Sequence, residues 1–249
     1  MNPNASHEPI IKIENLYKKY GDNVVLDGFN LNLYQGENLV IMGKSGSGKS
    51  VMIKCLIGLE IPDSGTIEIM SQKLEHLSLK DLDEIRADIG FLFQGSALYD
   101  SMTVRENLEF PLRRHISKFG NVKDTLPLVE EALQNVGLKN VIDLMPNELS
   151  GGMKRRVALA RTLILKPKII IYDEPTTGLD PITSKEIILL MKSVQEKYKT
   201  SSIIITHDVD CARVIANRMI LLIDGKNYAE GTFAELSTSQ DPKVKAFFK

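Results

Sequence analysis

The chain has 249 residues, 43% of them hydrophobic and 25% charged, with 17 Gly, 10 Pro and no Trp; this length gives one sizeable core with room for an insertion, and the composition excludes a disordered or fibrous chain. Lys and Arg total 31 against 32 Asp and Glu, a formal net charge of −1, so no cationic excess exists for a phosphate backbone and the balance argues against nucleic acid as a partner. The opening MNPNASHEPI lacks the basic start and apolar core of a signal peptide, and runs such as IIIY at 169–172 fall far short of the ~20 residues of a membrane span.

In chain order, IIKIENL and NVVLDGFNLNL read as strands separated by Gly21, Asp22 and Asn23, and the second is closed by Gln35 and Gly36. They predict an antiparallel sheet edge over 10–39. NLVIM at 38–42 runs through GKSGSGKS into the apolar helical stretch SVMIKCLIGL, which ends at Ile61, Pro62 and Gly65. GTIEIM at 65–70 reads as a strand, 79–89 as a helix and GFLFQ at 90–94 as a buried strand.

Strand signals vanish from Gly95 to about Lys166, where TVRENLEFPLRRH, KDTLPLVEEALQNVG and SGGMKRRVALARTLIL predict three helices of an inserted subdomain. In the last, Val157, Leu159, Ala160, Leu163 and Ile164 repeat at helical spacing, while Lys154, Arg155, Arg156 and Arg161 are expected to face elsewhere. Strand KIIIYDE (168–174), helix KEIILLMKSVQEKY (185–198), strand SSIIITH (201–207), helix DVDCARVIA and strand MILLID (219–224) follow, up to a polar turn at Asp224 and Gly225. This alternation predicts a mostly parallel sheet. The tail from Gln240 reads as one short amphipathic helix. Cys55 and Cys211 lie in apolar stretches without metal-ligand spacing and read as buried thiols.

Gly43, Lys44, Ser45, Gly46, Ser47, Gly48, Lys49 and Ser50 satisfy G-x-x-x-x-G-K-[ST] between a strand and a helix. The glycines let backbone N–H groups curl around a phosphate, the helix start adds its positive end, and Lys49 places a charge by the outer phosphates. Ser50 is expected to offer its hydroxyl to Mg²⁺. At the end of IIIYDE, Asp173 and Glu174 put two carboxylates at a sheet rim, where open α/β folds bind ligands. Asp173 is expected to hold Mg²⁺ through water and Glu174 to polarise the attacking water. Ser150 can cap the helix that opens with Gly151 and Gly152, which reads as a second anion-binding helix start.

This phosphate loop, Gln94 ending a strand, LSGGM at 149–153, IIIYDEP at 169–175, GLD at 178–180 and His207 ending another strand together resemble the ordered motifs of ABC-transporter ATPase subunits, from about Ile10 to Gly231. The resemblance implies an α/β fold: a P-loop NTPase core with a mostly parallel sheet, an antiparallel β edge subdomain and an inserted α-helical subdomain. It divides a single domain into a nucleotide-binding core (10–94 and 167–231), a helical subdomain (95–166) and a tail (232–249). It also implies roles. Tyr20 stacks on adenine beside Val25, Gln94 touches Mg²⁺ and links the nucleotide to the transmembrane partner, and His207 contacts the γ-phosphate. Asp180 belongs to a loop that crosses to a second subunit, and Ser150, Gly151 and Gly152 face the ATP held by that subunit's phosphate loop, so two ATP bind in a head-to-tail homodimer. Met153 stands where the family usually has Gln, which removes one polar contact to the partner nucleotide.

A chain with neither a membrane span nor a substrate pocket implies a separate permease dimer, with this subunit on the cytoplasmic face of the inner membrane. The stretch after Gln94 offers Ala97, Leu98, Tyr99, Met102, Phe110 and Leu112 as docking residues, about half of which core packing of the helical subdomain explains equally well. QGSALYDS and the signature Met are most similar to the ATPases of MCE-associated lipid transporters, the Mla and Mkl group. That likeness implies phospholipid movement with an MCE-domain protein. A non-transport membrane partner, such as a cell-division regulator, or another transported substrate remains open. The terminal PKVKAFFK suits packing on its own core, contact with a partner subunit or contact with a regulator.

Overall fold

A computed structural model describes residues 8–119 and 124–248. MNPNASH, the first residue of the helix expected over 123–137 and the last residue of the tail lie outside the described residues. The strands are β1 (Ile11–Tyr20), β2 (Asn23–Leu33), β3 (Asn38–Met42), β4 (Ser64–Ile69), β5 (Gln72–Lys73), β6 (Ile89–Leu92), β7 (Ile169–Asp173), β8 (Ser201–Ile205), β9 (Arg218–Ile223) and β10 (Lys226–Gly231). The α-helices are α1 (Lys49–Leu56), α2 (Leu79–Ala87), α3 (Val104–His115), α4 (Leu126–Asn135), α5 (Gly151–Leu163), α6 (Pro181–Tyr198), α7 (Val209–Ile215), α8 (Phe233–Ser237) and α9 (Pro242–Lys245). None of the described helices is long and apolar enough to cross a membrane. The chain divides into two compact units, Met1–Arg86 with Ser201–Lys249, and Ala87–Thr200.

The first unit holds two sheets. β1 pairs antiparallel with both β2 and β4, and β5 extends β4. The edge anticipated over 10–39 thus gains two further strands. Ile11, Ile13 and Leu16 of β1 and Leu26, Phe29, Leu31 and Leu33 of β2 are buried, and their alternation slips at Asn15, which takes a φ of 51° where the register shifts. Such a bulge lets the sheet turn while keeping its apolar face inward. In the second sheet β3 lies parallel to both β8 and β9, and all five residues of β3 are buried. A strand covered on both faces has no need for alternation, which explains the unbroken apolar run NLVIM.

Besides β5, two elements of this unit were not anticipated. β10 pairs antiparallel with β9, and its KNYAEG sequence alternates exposed with half-buried residues at an edge. It is held by Arg218, which forks onto the Glu37 carboxylate at 2.8 and 3.0 Å and also reaches Glu230 and the Asn32 carbonyl. α8 follows under a Thr232–Glu235 capping box. The tail then forms α9, with Val244 buried and Phe248 edge-on to Phe233 at 5.5 Å. The tail packs on its own unit, one of the three locations open to it.

In the second unit β6 and β7 pair in parallel from Ile89↔Ile169 to Leu92↔Tyr172. α5 packs on β6 closely enough that a Cβ at Gly90 would meet Thr162 Cγ2 at 2.6 Å. α3, α4 and α6 pack around α5, whose Val157, Leu159, Ala160, Leu163 and Ile164 are buried as their spacing predicts. α6 starts at Pro181, four residues ahead of expectation, because Asp180 caps it and Pro181 presets the first helical φ.

Candidate functional site

β3 delivers the chain into the GKSGSGKS loop, and α1 begins at Lys49 behind Gly48, whose φ of 103° only glycine adopts freely. A Cβ at Gly48 would also strike the Val25 carbonyl at 2.7 Å, and one at Gly43 would reach Ser47 Oγ at 2.4 Å and the Leu222 carbonyl at 2.7 Å. Glycine at both positions is therefore a steric requirement. No side chain caps α1, unlike α5, α6 and α7, which are capped by Ser150, Asp180 and Asp208. Lys49 Nζ donates to the Gly43 carbonyl at 2.6 Å and the Lys44 carbonyl at 2.9 Å, folded over its own loop. Among the described residues Ser47 Oγ, which is buried, has no hydrogen-bond partner. An uncapped helix start, a glycine cradle and an adjacent ammonium are the donors a polyphosphate needs.

Lys44, Ser45, Gly46 and Ser47 line a cleft of about 720 Å³ with Val25, and Pro242, Lys243 and Phe247 of the tail form part of its wall. Tyr20 ends β1 with 47% of its surface exposed and its hydroxyl on Glu60, with Lys18 Nζ 5.4 Å from the ring centre. The structure thus places this ring at the surface, where a flat partner can stack on it. Ser50 lies exposed in the first turn of α1. His207 follows β8, exposed, between buried Thr206 and Asp208. Thr206 Oγ1 accepts from the Asp208 N–H at 3.0 Å, and the Asp208 carboxylate caps α7 through the Asp210 and Cys211 N–H groups. The backbone on either side of the imidazole is fixed by these bonds.

The second unit carries the other motif residues. Asp173 closes β7, and Glu174 takes a φ of 50°, a strained conformation for a residue with a Cβ. Thr177 Oγ1 donates to Glu174 Oε2 at 3.0 Å and so orients the carboxylate. Gln94 stands exposed two residues after β6, and Phe93 before it is exposed as well, so the strand ends earlier than GFLFQ implied. Ser150 caps α5 by accepting from the Met153 N–H at 3.2 Å. Both oxygens of Asp180 serve their own chain: one accepts from the Ile182 and Thr183 N–H groups at 3.0 Å, the other from the Thr183 hydroxyl at 2.5 Å. These bonds, the Thr183 hydroxyl first, hold the Asp180 carboxyl below the usual carboxylate range.

One expectation fails on this helix. Arg155 does not face away from the core but is 3% exposed. It donates to the carbonyls of Phe93 at 2.7 Å, Gln94 at 2.5 Å and Thr177 at 3.3 Å. Arg161 likewise reaches the Ser96 and Ala97 carbonyls at 3.0 and 2.8 Å. A signal was present: Arg155 precedes buried Leu159 and Leu163 by four and eight residues, which places it on the buried stripe.

Gly151 and Gly152 differ in what they answer to. A Cβ at Gly151 would come no nearer than 3.8 Å to Leu179, whereas one at Gly152 would meet Thr183 Cγ2 of α6 at 2.7 Å. Gly152→Ala is therefore expected to lower the Tm by several degrees, since overpacking costs about 1–3 kcal/mol. Thr183→Ser in the same chain removes that methyl but keeps the hydroxyl on Asp180, and should recover most of the loss. Gly151→Ala should leave the Tm within about 2 °C. Differential scanning fluorimetry of the three variants decides, and a double variant no more stable than Gly152→Ala would refute the steric account.

The segment after Gln94 is ordered by Asn107, fully buried, which accepts from the Tyr99 N–H at 2.8 Å and donates to the carbonyls of Tyr99, Met102 and Thr103. Tyr99 and Phe110 are 43% and 44% exposed with ring centres 4.8 Å apart. Leu112, grouped with them by sequence, is fully buried and belongs to the core.

A sequence profile of the ABC transporter family matches residues 26–177. The chain is 40% identical over 243 residues to the intermembrane phospholipid transport system ATP-binding protein MlaF of Haemophilus influenzae, covering 98% of this chain and 91% of MlaF. It is 36% identical over 252 residues to the methionine import ATP-binding protein MetN of Campylobacter jejuni, covering 96% of this chain and 75% of MetN. The dimeric, post-hydrolysis structure of the ATP-binding cassette MJ0796 with ADP and Pi superposes with a TM-score of 0.79 at 37% identity, over 90% of this chain and 98% of that one. With the phosphate loop, carboxylate pair and signature helix built as described, the chain belongs to the ABC-transporter family and is an ATP-binding, ATP-hydrolysing subunit of it.

Proposed function

We propose that two copies of this chain, arranged head to tail on the cytoplasmic face of a membrane, hydrolyse ATP to drive a permease dimer that moves phospholipid, together with an MCE-domain lipid-binding protein. The 40% identity to MlaF across 98% of the chain carries this reading. In it, residues 10–94 and 167–231 form the nucleotide-binding core, 95–166 the helical subdomain and 232–249 the tail. Tyr20 stacks on adenine beside Val25, and the backbone from Gly43 to Gly48 wraps the phosphates under the charge of Lys49. A phosphate-bound Mg²⁺ keeps most of its ligands from ATP and water, so one hydroxyl, one amide and one carboxylate fit it: Ser50, Gln94 and Asp173. When bound, Mg²⁺ would neutralise charge on the phosphates.

Glu174 accepts a proton from the water whose oxygen bonds to the γ-phosphorus as the bond to the bridging oxygen breaks and ADP leaves. His207 donates to the γ-phosphate. Ser150, Gly151 and Gly152 of the second copy cover that phosphate, with the Asp180 loop beside them. Tyr99 and Phe110 offer an exposed aromatic pair to the permease. A methionine-type importer is the second reading, favoured by the 36% identity to MetN.

The test is purification of tagged Glu174→Gln chain from its own membranes in mild detergent with ATP and Mg²⁺, followed by mass spectrometry. A permease co-purifying with an MCE-domain protein and phospholipid is expected. A permease with an amino-acid-binding protein would replace the lipid reading by the importer, and a membrane protein with no permease features would overturn transport itself.

A further inference from the structure

We propose that Arg155 is a positioning residue, holding the segment that bears Gln94 and the loop that orients Glu174 against one point of the signature helix. The proposal rests on the reading of those two side chains as parts of the hydrolytic site.

Arg155 lies one turn beyond the Ser150 cap, and its guanidinium receives carbonyls from two separate loops: Phe93 and Gln94 after β6, and Thr177 after β7. The Gln94 carbonyl belongs to the residue whose side chain is assigned to the metal. Thr177, whose carbonyl is the third acceptor, donates its hydroxyl to Glu174. One cation thus reaches both functional side chains at one remove, and it stands on the helix that opens with Ser150, Gly151 and Gly152. Burial alone pulls its pKa below the ordinary arginine value. A cation taken out of water to meet only carbonyl oxygens is costly, and a Met or Leu would fill the same space more favourably. The planar fork with its several fixed donors is what an apolar residue lacks.

Arg161, farther along α5, takes the carbonyls of Ser96 and Ala97 and lies 5.9 Å from the centre of the Tyr99 ring. It holds the far end of the same segment and touches neither Gln94 nor the Glu174 loop, so it separates general ordering of the segment from alignment of the site. Any displacement of α5 is passed by Arg155 to Gln94 and Thr177 together.

Arg155→Met, which keeps the volume and removes the donors, is expected to lower kcat for ATP at least about 30-fold while KM changes less than about threefold. Arg155→Lys, which keeps the charge and one donor, should fall between. In a Glu174→Gln chain the same Arg155→Met change should lower the residual turnover by a smaller factor than it lowers the parent's, because the part of its effect that runs through Glu174 is already lost. A kcat within threefold of the parent, KM and kcat moving together, or full additivity with Glu174→Gln would overturn the proposal. If Arg155→Met does not fold, Arg155→Lys carries the same comparison. Glu174→Gln alone is measured alongside: if it retains the parent's turnover, the reading of the site fails and this proposal with it, whereas a slow Glu174→Gln with a fast Arg155→Met refutes the positioning role alone.

Discussion

Lys49→Ala is expected to reduce ATP hydrolysis to background. The side chain folds over its own loop, onto the Gly43 and Lys44 carbonyls, at the start of a helix that no side chain caps. In the proposed reading it is the cation that follows the outer phosphates as negative charge shifts between them. A unit charge about 4 Å away contributes roughly 4 kcal/mol at an effective dielectric of 20, which corresponds to about a thousandfold in rate. Alanine keeps the helix start, being the strongest helix former, so the loss falls on the charge and not on α1. Phosphate release at saturating ATP is the measurement. Turnover above about a tenth of the parent's would show that the backbone cradle suffices, and would remove Lys49 from the catalytic residues.

Glu174→Gln has the second large effect, of a different kind. A general base contributes roughly 10²–10⁴-fold, so kcat should fall by that order while ATP still binds. The substitution is nearly isosteric, and an amide oxygen can still accept from Thr177 Oγ1, which now reaches Glu174 Oε2 at 3.0 Å. The backbone at a φ of 50° is under the same constraint in either variant. With nucleotide bound and turnover stopped, a dimer that closes on two ATP should accumulate. Size-exclusion chromatography with and without ATP reads this directly: an ATP-dependent shift to twice the mass is expected. A Glu174→Gln chain that stays monomeric at high ATP would contradict the head-to-tail arrangement, and one that hydrolyses ATP at the parent's rate would move the base elsewhere.

Much of this was legible in the chain. The phosphate loop could be placed between strand and helix because glycine spacing and the change from period 2 to period 3.6 are local properties. Local capping chemistry likewise predicted that Ser150 starts α5, and the structure places it as the cap. The helix over 103–115 was expected within a residue, since its last turn and its flanks carry their own signals.

Position along the chain did not reveal which partner each polar group finds. β10 escaped detection because KNYAEG has no apolar run; it becomes a strand by pairing with β9 and by the reach of Arg218 to Glu37 and Glu230. Leu112 and Phe110 look alike as apolar residues two apart on one helix, yet one is buried and the other exposed, because helical rotation sends them to different faces. Asp180 reads as a loop residue until its carboxylate is seen to cap α6.

By itself, then, the sequence marked where the phosphate loop, the carboxylate pair and the signature helix lie, because glycine freedom, helix capping and hydrophobic period act over a few neighbouring residues. Only the tertiary structure decided that Arg155 is buried against carbonyls more than 60 residues away in sequence, that Gly152 must be small because Thr183 is opposite it, and that the tail walls the phosphate-loop cleft. Each of these depends on distances between segments, which close packing sets and no local pattern encodes.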